Sequence, residues 1–230
     1  MKRRNVQLGA TFIFLALACI PALAGEVLDR IVATVNTRVI LQSDWNLELS
    51  YQAFLEGRSV ADFSPQERRE ALDHLVDQEL IRQKMDTTEF QHASAAEVQQ
   101  RLTGIREEKA SNLPEPDWLA TLARAGLNES ELREKIAGEI DQMRAVEARL
   151  RPTVQVDARS IEVYYNEKFI PELLRAGAKR VPIEQVAAQI KELLAQQRMN
   201  EFLLSWLHSL RNESKIHTTF DSSPPAGGGS

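Results

Sequence analysis

The apolar and polar positions of this chain follow two different periods, and the shorter period comes first. Between Arg30 and Trp45, β-branched residues alternate with other residues on both sides of the pair Asn36-Thr37, which predicts an antiparallel hairpin buried on at least one face. Asn36 suits the turn because its side chain tolerates a positive φ. An isolated two-stranded hairpin is marginal in water, so we expect a third strand or a covering helix to complete it.

In most of the remaining chain, apolar residues recur every three or four positions, as in helices with one buried face. Gly57 and Gly126 are placed to end two of these helices. The capping residues that predict helix starts are Ser43, Ser64, Ser94, Asn128 and Asp157.

The last predicted helix, 183–211, is the longest, and the segment 215–220 that follows it has β character. This segment is the candidate for the strand that the hairpin lacks. The predicted fold is therefore mostly α, with several helices and a small antiparallel β-hairpin completed by a C-terminal strand. The final residues, 221–230, are rich in Ser, Pro and Gly, which predicts a disordered tail.

The first residues predict export. Basic residues 2–4 precede an apolar run, 9–20, and the small-x-small triplet 22–24, which together are typical of a signal peptide cleaved after Ala24. The string before Cys19 loosely resembles a lipoprotein cleavage site, but alanine stands where leucine is expected, and this disfavours lipidation. Cys19 is the one cysteine of the sequence, so the mature chain is expected to be stable without disulfides.

The net charge of the chain and the length of its apolar runs limit which partners we expect it to bind. The formal net charge is -5, and cleavage after Ala24 would make the mature chain more acidic still, which disfavours nucleic acid and anionic lipid surfaces. The signal-peptide run is shorter than the roughly 20 residues of a membrane-spanning helix, and no later run approaches that length. We therefore expect a soluble exported protein without stable membrane insertion.

The sequence shows no recognisable catalytic motif. The four histidines are far apart and show no metal-ligand spacing, and neither a nucleophile elbow, a phosphate-binding glycine loop nor a dinucleotide fingerprint is present. The three tryptophans fall on apolar stripes, where core packing is favoured over ligand stacking. We expect neither an enzyme nor a cofactor.

The order of the parts resembles the N-terminal region of the SurA-type periplasmic chaperones. The resemblance rests on the signal peptide, the hairpin IVATVNTRVILQSDW, the helix NESELREKIAGEIDQMRAVEARL and the segment VDARSIEVYYNEKF. The closing stretch, 181–220, also resembles the helix and strand that end the chaperone module of this family. The resemblance implies a periplasmic chaperone fold over nearly the whole mature chain.

One departure from the family pattern bears on activity. Many members carry a parvulin-type prolyl isomerase domain between the Tyr-Tyr helix and the final helix, and residues 169–182 are too few to form such a domain. The resemblance then implies a single discontinuous chaperone domain, 25–168 plus 183–220, with 169–182 as a linker and without isomerase activity.

The expected function is that of an ATP-independent holdase, which shields unfolded exported or outer-membrane polypeptides with apolar side chains. Two alternatives stay open: a dedicated envelope interaction module that binds one partner or forms a homodimer through the long helix, and a prolyl isomerase by family association. For the holdase, the expected exposed client-binding side chains lie where helix ends and linkers leave packing incomplete: Phe54, Leu55, Trp118, Leu119, Tyr165 and Phe169.

Overall fold

A computed structural model describes residues 29–85, 89–110 and 113–220. The predicted signal peptide, its cleavage site, Cys19 and the predicted tail 221–230 lie outside these residues. The described chain is mostly helical and carries a small antiparallel sheet, which confirms the predicted fold class.

The strands are β1 (Ile31–Val35), β2 (Arg38–Leu41) and β3 (Ile216–Thr218). The helices in chain order are α1 (Gln42–Glu56), α2 (Pro65–Met85), α3 (Ala95–Ala110), α4 (Glu115–Arg124), α5 (Glu129–Leu150), α6 (Ala158–Tyr164), α7 (Ile170–Arg175) and α8 (Ile183–Glu213). A π-helical turn, Tyr165–Phe169, joins α6 to α7, and short 3₁₀ turns occur at Val60–Asp62 and Arg151–Thr153.

The sheet has the strand order β2-β1-β3, so the C-terminal strand completes the N-terminal hairpin as the sequence predicts. Asn36 adopts a φ of 58° at the turn, and its backbone N–H donates to the Lys215 carbonyl oxygen at 2.8 Å. The Asn36 side chain also accepts a hydrogen bond from the Lys215 N–H at 3.0 Å. The turn of the hairpin is thus fixed by the far end of the chain.

Four of the five predicted helix caps are present. Ser64, Ser94, Asn128 and Asp157 each accept a hydrogen bond from a backbone N–H three residues later. Ser43 does not cap α1, and that prediction is wrong. The helix begins at Gln42, two residues earlier than a Ser43 cap implies; the Asp44 carboxylate accepts from the Leu41 N–H at 2.8 Å, and the Ser43 hydroxyl donates to Asp29 instead.

The main core lies between the sheet and the first five helices. One cluster joins Val32 and Val35 of β1 to Val76 and Leu80 of α2, and Leu210 of α8 completes it. A neighbouring cluster is formed by α1, α3, α4 and α5 around the fully buried Trp118. The stripes of apolar residues at helical spacing account for these contacts.

A separate small core lies around the segment that the sequence analysis treats as a linker. Residues 169–182 are helical as far as Arg175, and Ile170 is buried against Tyr165 and Ile190 of α8. The segment between α6 and α8 therefore packs against the N-terminal third of α8. Its apolar residues Phe169, Ile170 and Leu173 give it this packing, although two prolines bracket it.

Helix α8 is held at two points. Of its 31 residues, only Ile190 and Leu210 are buried, the first in the small core and the second in the main core. At 1.5 Å per residue these two anchors are about 30 Å apart. The part of α8 between them runs past α2 and α5 with much of its surface exposed.

Candidate functional site: an apolar groove between α5 and α8

Beside the exposed part of α8 lies a groove of about 380 Å³ between α2, α5 and α8, here named the α5/α8 groove. Each helix contributes residues three or four positions apart, which is the spacing of one helix face. The lining residues are His74, Gln78 and Ile81 of α2, Glu139, Gln142, Met143, Val146 and Glu147 of α5, and Gln196, Met199, Asn200 and Leu203 of α8.

The groove presents apolar side chains of adaptable shape to solvent. Met143 has 62% of its surface exposed, and Val146, Met199 and Leu203 are half-buried around the buried Ile81. Methionine is unbranched and polarizable, so it fits apolar surfaces of different shapes. Amides and carboxylates complete the lining, so the groove could hold an apolar segment while polar groups contact the rest of a ligand.

The exposed part of α8 is apolar on a second face as well. Leu193 and Leu204 are eleven positions apart and therefore share one face, which lies about 140° around the helix from Met199. Their exposed fractions are 42% and 69%. These two side chains lie outside the groove and remain exposed, so this part of α8 has more apolar surface than its intramolecular contacts cover.

A buried ionic network fixes the three helices near the groove. Glu48 of α1 is 2% exposed, and it accepts hydrogen bonds from Lys135 of α5, from Gln52 at 2.7 Å and from His74 Nδ1 of α2 at 3.0 Å. Burial alone would raise the pKa of Glu48, but the His74 bond and the Lys135 charge outweigh it and lower the pKa to about 2. Glu48 is thus ionised and ties α1, α2 and α5 together.

Glu139 lies beside this network, and its pKa is shifted in the opposite direction to that of Glu48. Tyr51 donates a hydrogen bond to Glu139 at 3.0 Å. Burial raises the pKa of Glu139 despite this bond and the nearby Lys135 charge, while burial and the Glu139 charge raise the pKa of Tyr51. The pKa values of these two neighbouring carboxylates therefore shift in opposite directions, because Glu48 forms an ion pair with Lys135 and Glu139 does not.

The expected exposure of the client-binding residues is wrong for Phe54, Trp118 and Tyr165. Phe54 and Trp118 pack edge to face at 6.0 Å inside the main core, where four helices cover them. Tyr165 stacks on Phe169 at 6.0 Å and donates a hydrogen bond to the Val181 carbonyl oxygen at 2.6 Å. Helix ends that look incomplete in the sequence are covered by elements distant along the chain.

The other three expected residues are partly accessible but do not form one surface. Leu119 is 46% exposed, and Leu55 and Phe169 are half-buried. Leu55 packs against the main core and Phe169 against the small core, so the structure does not bring them together. None of the six expected residues lines the α5/α8 groove.

Met143, Met199 and Leu203 line the groove, and the sequence pattern does not identify them as surface residues. Met143 continues the same three-and-four spacing as the buried Ile136, so its position in the pattern predicts a core residue. The signal that could have revealed the groove is the middle of α8, where apolar residues occur on more than one face of the helix.

Within 29–85, 89–110 and 113–220, no cluster of His, Cys, Asp or Glu side chains has the geometry to hold a metal ion. Among the helices that the structure describes, none is both long and apolar enough to span a bilayer.

Comparison with known proteins adds no assignment. No protein-family model matches the chain, and a search of curated proteins found no significant match. The α5/α8 groove therefore has to be interpreted from its own geometry.

Proposed function

We propose that this protein is an ATP-independent holdase that binds unfolded exported polypeptides in the α5/α8 groove. The observation that carries the proposal is the α5/α8 groove itself, in which the exposed Met143 of α5 lies across from the half-buried Met199 and Leu203 of α8. Contiguous exposed apolar surface on a soluble protein is typical of an interaction site. Unfolded polypeptides expose the apolar side chains that such a surface would bind.

The chemistry of the groove favours broad and weak binding. Its apolar members include two methionines and a leucine, whose flexible side chains can adapt to ligands of different shape. The resemblance to SurA-type chaperones and the signal-peptide pattern support a periplasmic location for this activity. The proposal assigns no catalytic residue and no prolyl isomerase activity to the chain.

The test is suppression of aggregation by the purified mature protein. It should slow the aggregation of several unrelated unfolded proteins at a near-stoichiometric ratio. Met143→Glu places a charge in the apolar groove without removing a core contact, because this side chain is mostly exposed. Loss of an apolar contact of about 1.5–3 kcal/mol should weaken suppression roughly tenfold or more.

Leu174→Glu is the matched control. Leu174 lies on α7, away from the groove, and is 55% exposed, close to the exposure of Met143. This variant should suppress aggregation as well as the wild type does. The proposal would be wrong if the wild type suppressed no aggregation, or if both variants lost the same activity.

A second candidate function is a dimerisation or single-partner module, and the outer face of α8 favours it. Leu193 and Leu204 would form a contact between two copies of α8 or with one folded protein. Sedimentation of the wild type and of Leu204→Glu distinguishes this candidate. A dimer that Leu204→Glu dissociates, combined with no effect on aggregation of clients, would favour the module over the holdase.

A further inference from the structure

A second cavity, of about 480 Å³, lies between β2, α1, α2 and α5 and is here named the hairpin cavity. Gln78, Glu139 and Gln142 line both this cavity and the α5/α8 groove. The two spaces are therefore neighbours along α5, separated by the width of these three side chains. A polypeptide lying in the groove could reach the hairpin cavity across them.

One side of the hairpin cavity is apolar. Val39 of β2 is 50% exposed, and Leu47, Leu75 and Met85 contribute further apolar lining. Gly138 of α5 also lines the cavity, and a Cβ atom at this position would meet nothing within 4 Å. The cavity is thus open enough to admit a long side chain from solvent.

The rest of the lining is strongly acidic. It carries six carboxylates against two cations, Arg82 and Lys135, and both cations form ion pairs with carboxylates of the same lining. The carboxylates are those of Asp44, Glu48, Glu79, Glu134, Glu139 and Asp141.

The six carboxylates differ in the ion-pair and hydrogen-bond partners that they already have. Glu48 pairs with Lys135, Glu79 with Arg82, and Asp141 lies 2.8 Å from His92 Nδ1. Glu134 and Glu139 form no ion pair with any residue that the structure describes; Glu139 accepts only the Tyr51 hydroxyl bond, and Glu134 that of Ser130 at 3.4 Å. Partial burial raises the pKa of Glu139, as expected for a carboxylate without an ion-pair partner.

We propose that the hairpin cavity receives a Lys or Arg side chain of the polypeptide whose apolar residues occupy the α5/α8 groove. The methylene stem would pack against Val39 and Leu75, and the charged end would lie beside Glu134 and Glu139. This inference rests on the proposed holdase function and specifies which client segments bind best.

The geometry of α5 sets the spacing of the client residues. From Glu139 to Met143 and Val146, the helix rises about 6 to 10 Å. An extended polypeptide advances about 3.3 Å per residue. The preferred segment therefore has a basic residue about two or three positions from its apolar residues.

Fluorescent peptides test the inference by polarisation. Each peptide carries Leu-Phe in a Gly/Ser background, with one Lys placed one, three or six positions away, and a matched series has Gln in place of Lys. At three positions, Lys should bind about tenfold more tightly than Gln, as a partly buried charge pair can provide. The advantage should vanish at six positions and decrease with added salt.

Two variants and one control assign this advantage to the cavity. Glu139→Gln removes the charge but keeps an acceptor for Tyr51, and Gly138→Leu fills the cavity, so each should abolish the preference for Lys. Gly104→Leu on α3 is the control, because a Cβ there also meets nothing within 4 Å and Gly104 does not line the cavity. It should leave the preference intact.

The outcomes separate the inference from the proposed function. Equal binding of the Lys and Gln series to the wild type, or a Lys preference that both cavity variants keep, would overturn the inference while groove binding stood. Binding of lysine amide alone, as tightly as the Leu-Phe-Lys peptide, would overturn it in favour of a small-cation site. Failure of every peptide to bind would count against the holdase itself.

Discussion

A single buried carboxylate, Glu48, holds the walls of both the groove and the hairpin cavity in place. It lies on α1, and its partners His74 and Lys135 lie on the two helices that face it. Removing one partner of a buried ion pair is costly because the remaining charge stays buried without compensation. Glu48 therefore links the stability of the fold to the shape of the proposed site.

The first prediction concerns pH. The pKa of Glu48 is about 2 in the folded chain, against its ordinary value of 4.5, so its contribution to stability is complete above pH 4.5 and is lost as the pH falls toward 2. The wild type should exceed Glu48→Gln by an amount that shrinks by about 3 kcal/mol over this range. Urea unfolding of both proteins at pH 6, 4 and 2.5 measures the difference.

Other carboxylates titrate in the same range, but they do so in both proteins and cancel in the comparison. A difference between wild type and Glu48→Gln that stayed constant from pH 6 to pH 2.5 would contradict the assignment of Glu48 as the ionised member of the network.

At the scale of single residues, most of the helix caps could be predicted from the sequence, but the residues of the site could not. Ser64, Ser94, Asn128 and Asp157 cap helices because the donor and acceptor are three residues apart, so the sequence contains both partners. The prediction for Ser43 was wrong because the Asp44 carboxylate accepts from the Leu41 N–H at the helix start, while the Ser43 hydroxyl donates to Asp29. The Glu48 network joins residues up to 87 positions apart, and no local pattern reveals it.

At the scale of elements, α8 delivers β3 to the hairpin. Leu210 anchors the end of α8 against Val76 and Leu80 of α2, and β3 begins six residues later. The pairing of β3 with β1 had a sequence signal, because a lone hairpin requires a partner and 215–220 was the remaining segment with β character. The small core around Ile170 had a weaker signal, since prolines on both sides favoured a linker.

The second prediction concerns this anchor. Leu210→Ala should cost about 2–4 kcal/mol of unfolding free energy, because Leu210 is 3% exposed in the main core. Leu204→Ala, six positions away and 69% exposed, should change stability by less than about 0.5 kcal/mol. Chemical denaturation of the two variants gives both values.

The same pair of variants tests whether α8 positions the sheet. The Asn36 N–H donates to the Lys215 carbonyl oxygen, so its hydrogen exchange reports the β1–β3 contact. Exchange at Asn36 should accelerate in Leu210→Ala and remain unchanged in Leu204→Ala. Unchanged protection of Asn36 in Leu210→Ala would show that β3 stays paired without the anchor.

The groove depends on how the helices pack against one another, which the periodicity of the sequence does not predict. Met143 and Ile136 occupy equivalent positions in the α5 stripe, but a neighbouring helix covers Ile136 and leaves Met143 62% exposed. Ile136 is covered because it belongs to the cluster that α5 forms with α1, α3 and α4, whereas Met143 lies two turns further along α5, where it lines the groove. Which helices lie beside each of these positions is set by residues far away in the chain.

At the scale of the whole molecule, the described chain has two cores joined by one long helix. The main core contains the sheet and the first five helices, and the small core contains Tyr165, Ile170 and Ile190. The helix between the anchors is fixed at both ends and exposed in the middle. This arrangement exposes apolar surface while both cores remain closed. Client binding would therefore not require either core to unfold.

The central claim is that unfolded polypeptides contact the α5/α8 groove, and site-specific crosslinking tests it most directly. A photo-crosslinking amino acid replaces Met143 in one protein and the similarly exposed Leu174 in another, and each is irradiated with the same unfolded client. The account predicts a strong client adduct at position 143 that excess unlabelled client removes, and little adduct at position 174. Equal adducts at the two positions, or an adduct at position 174 alone, would contradict it.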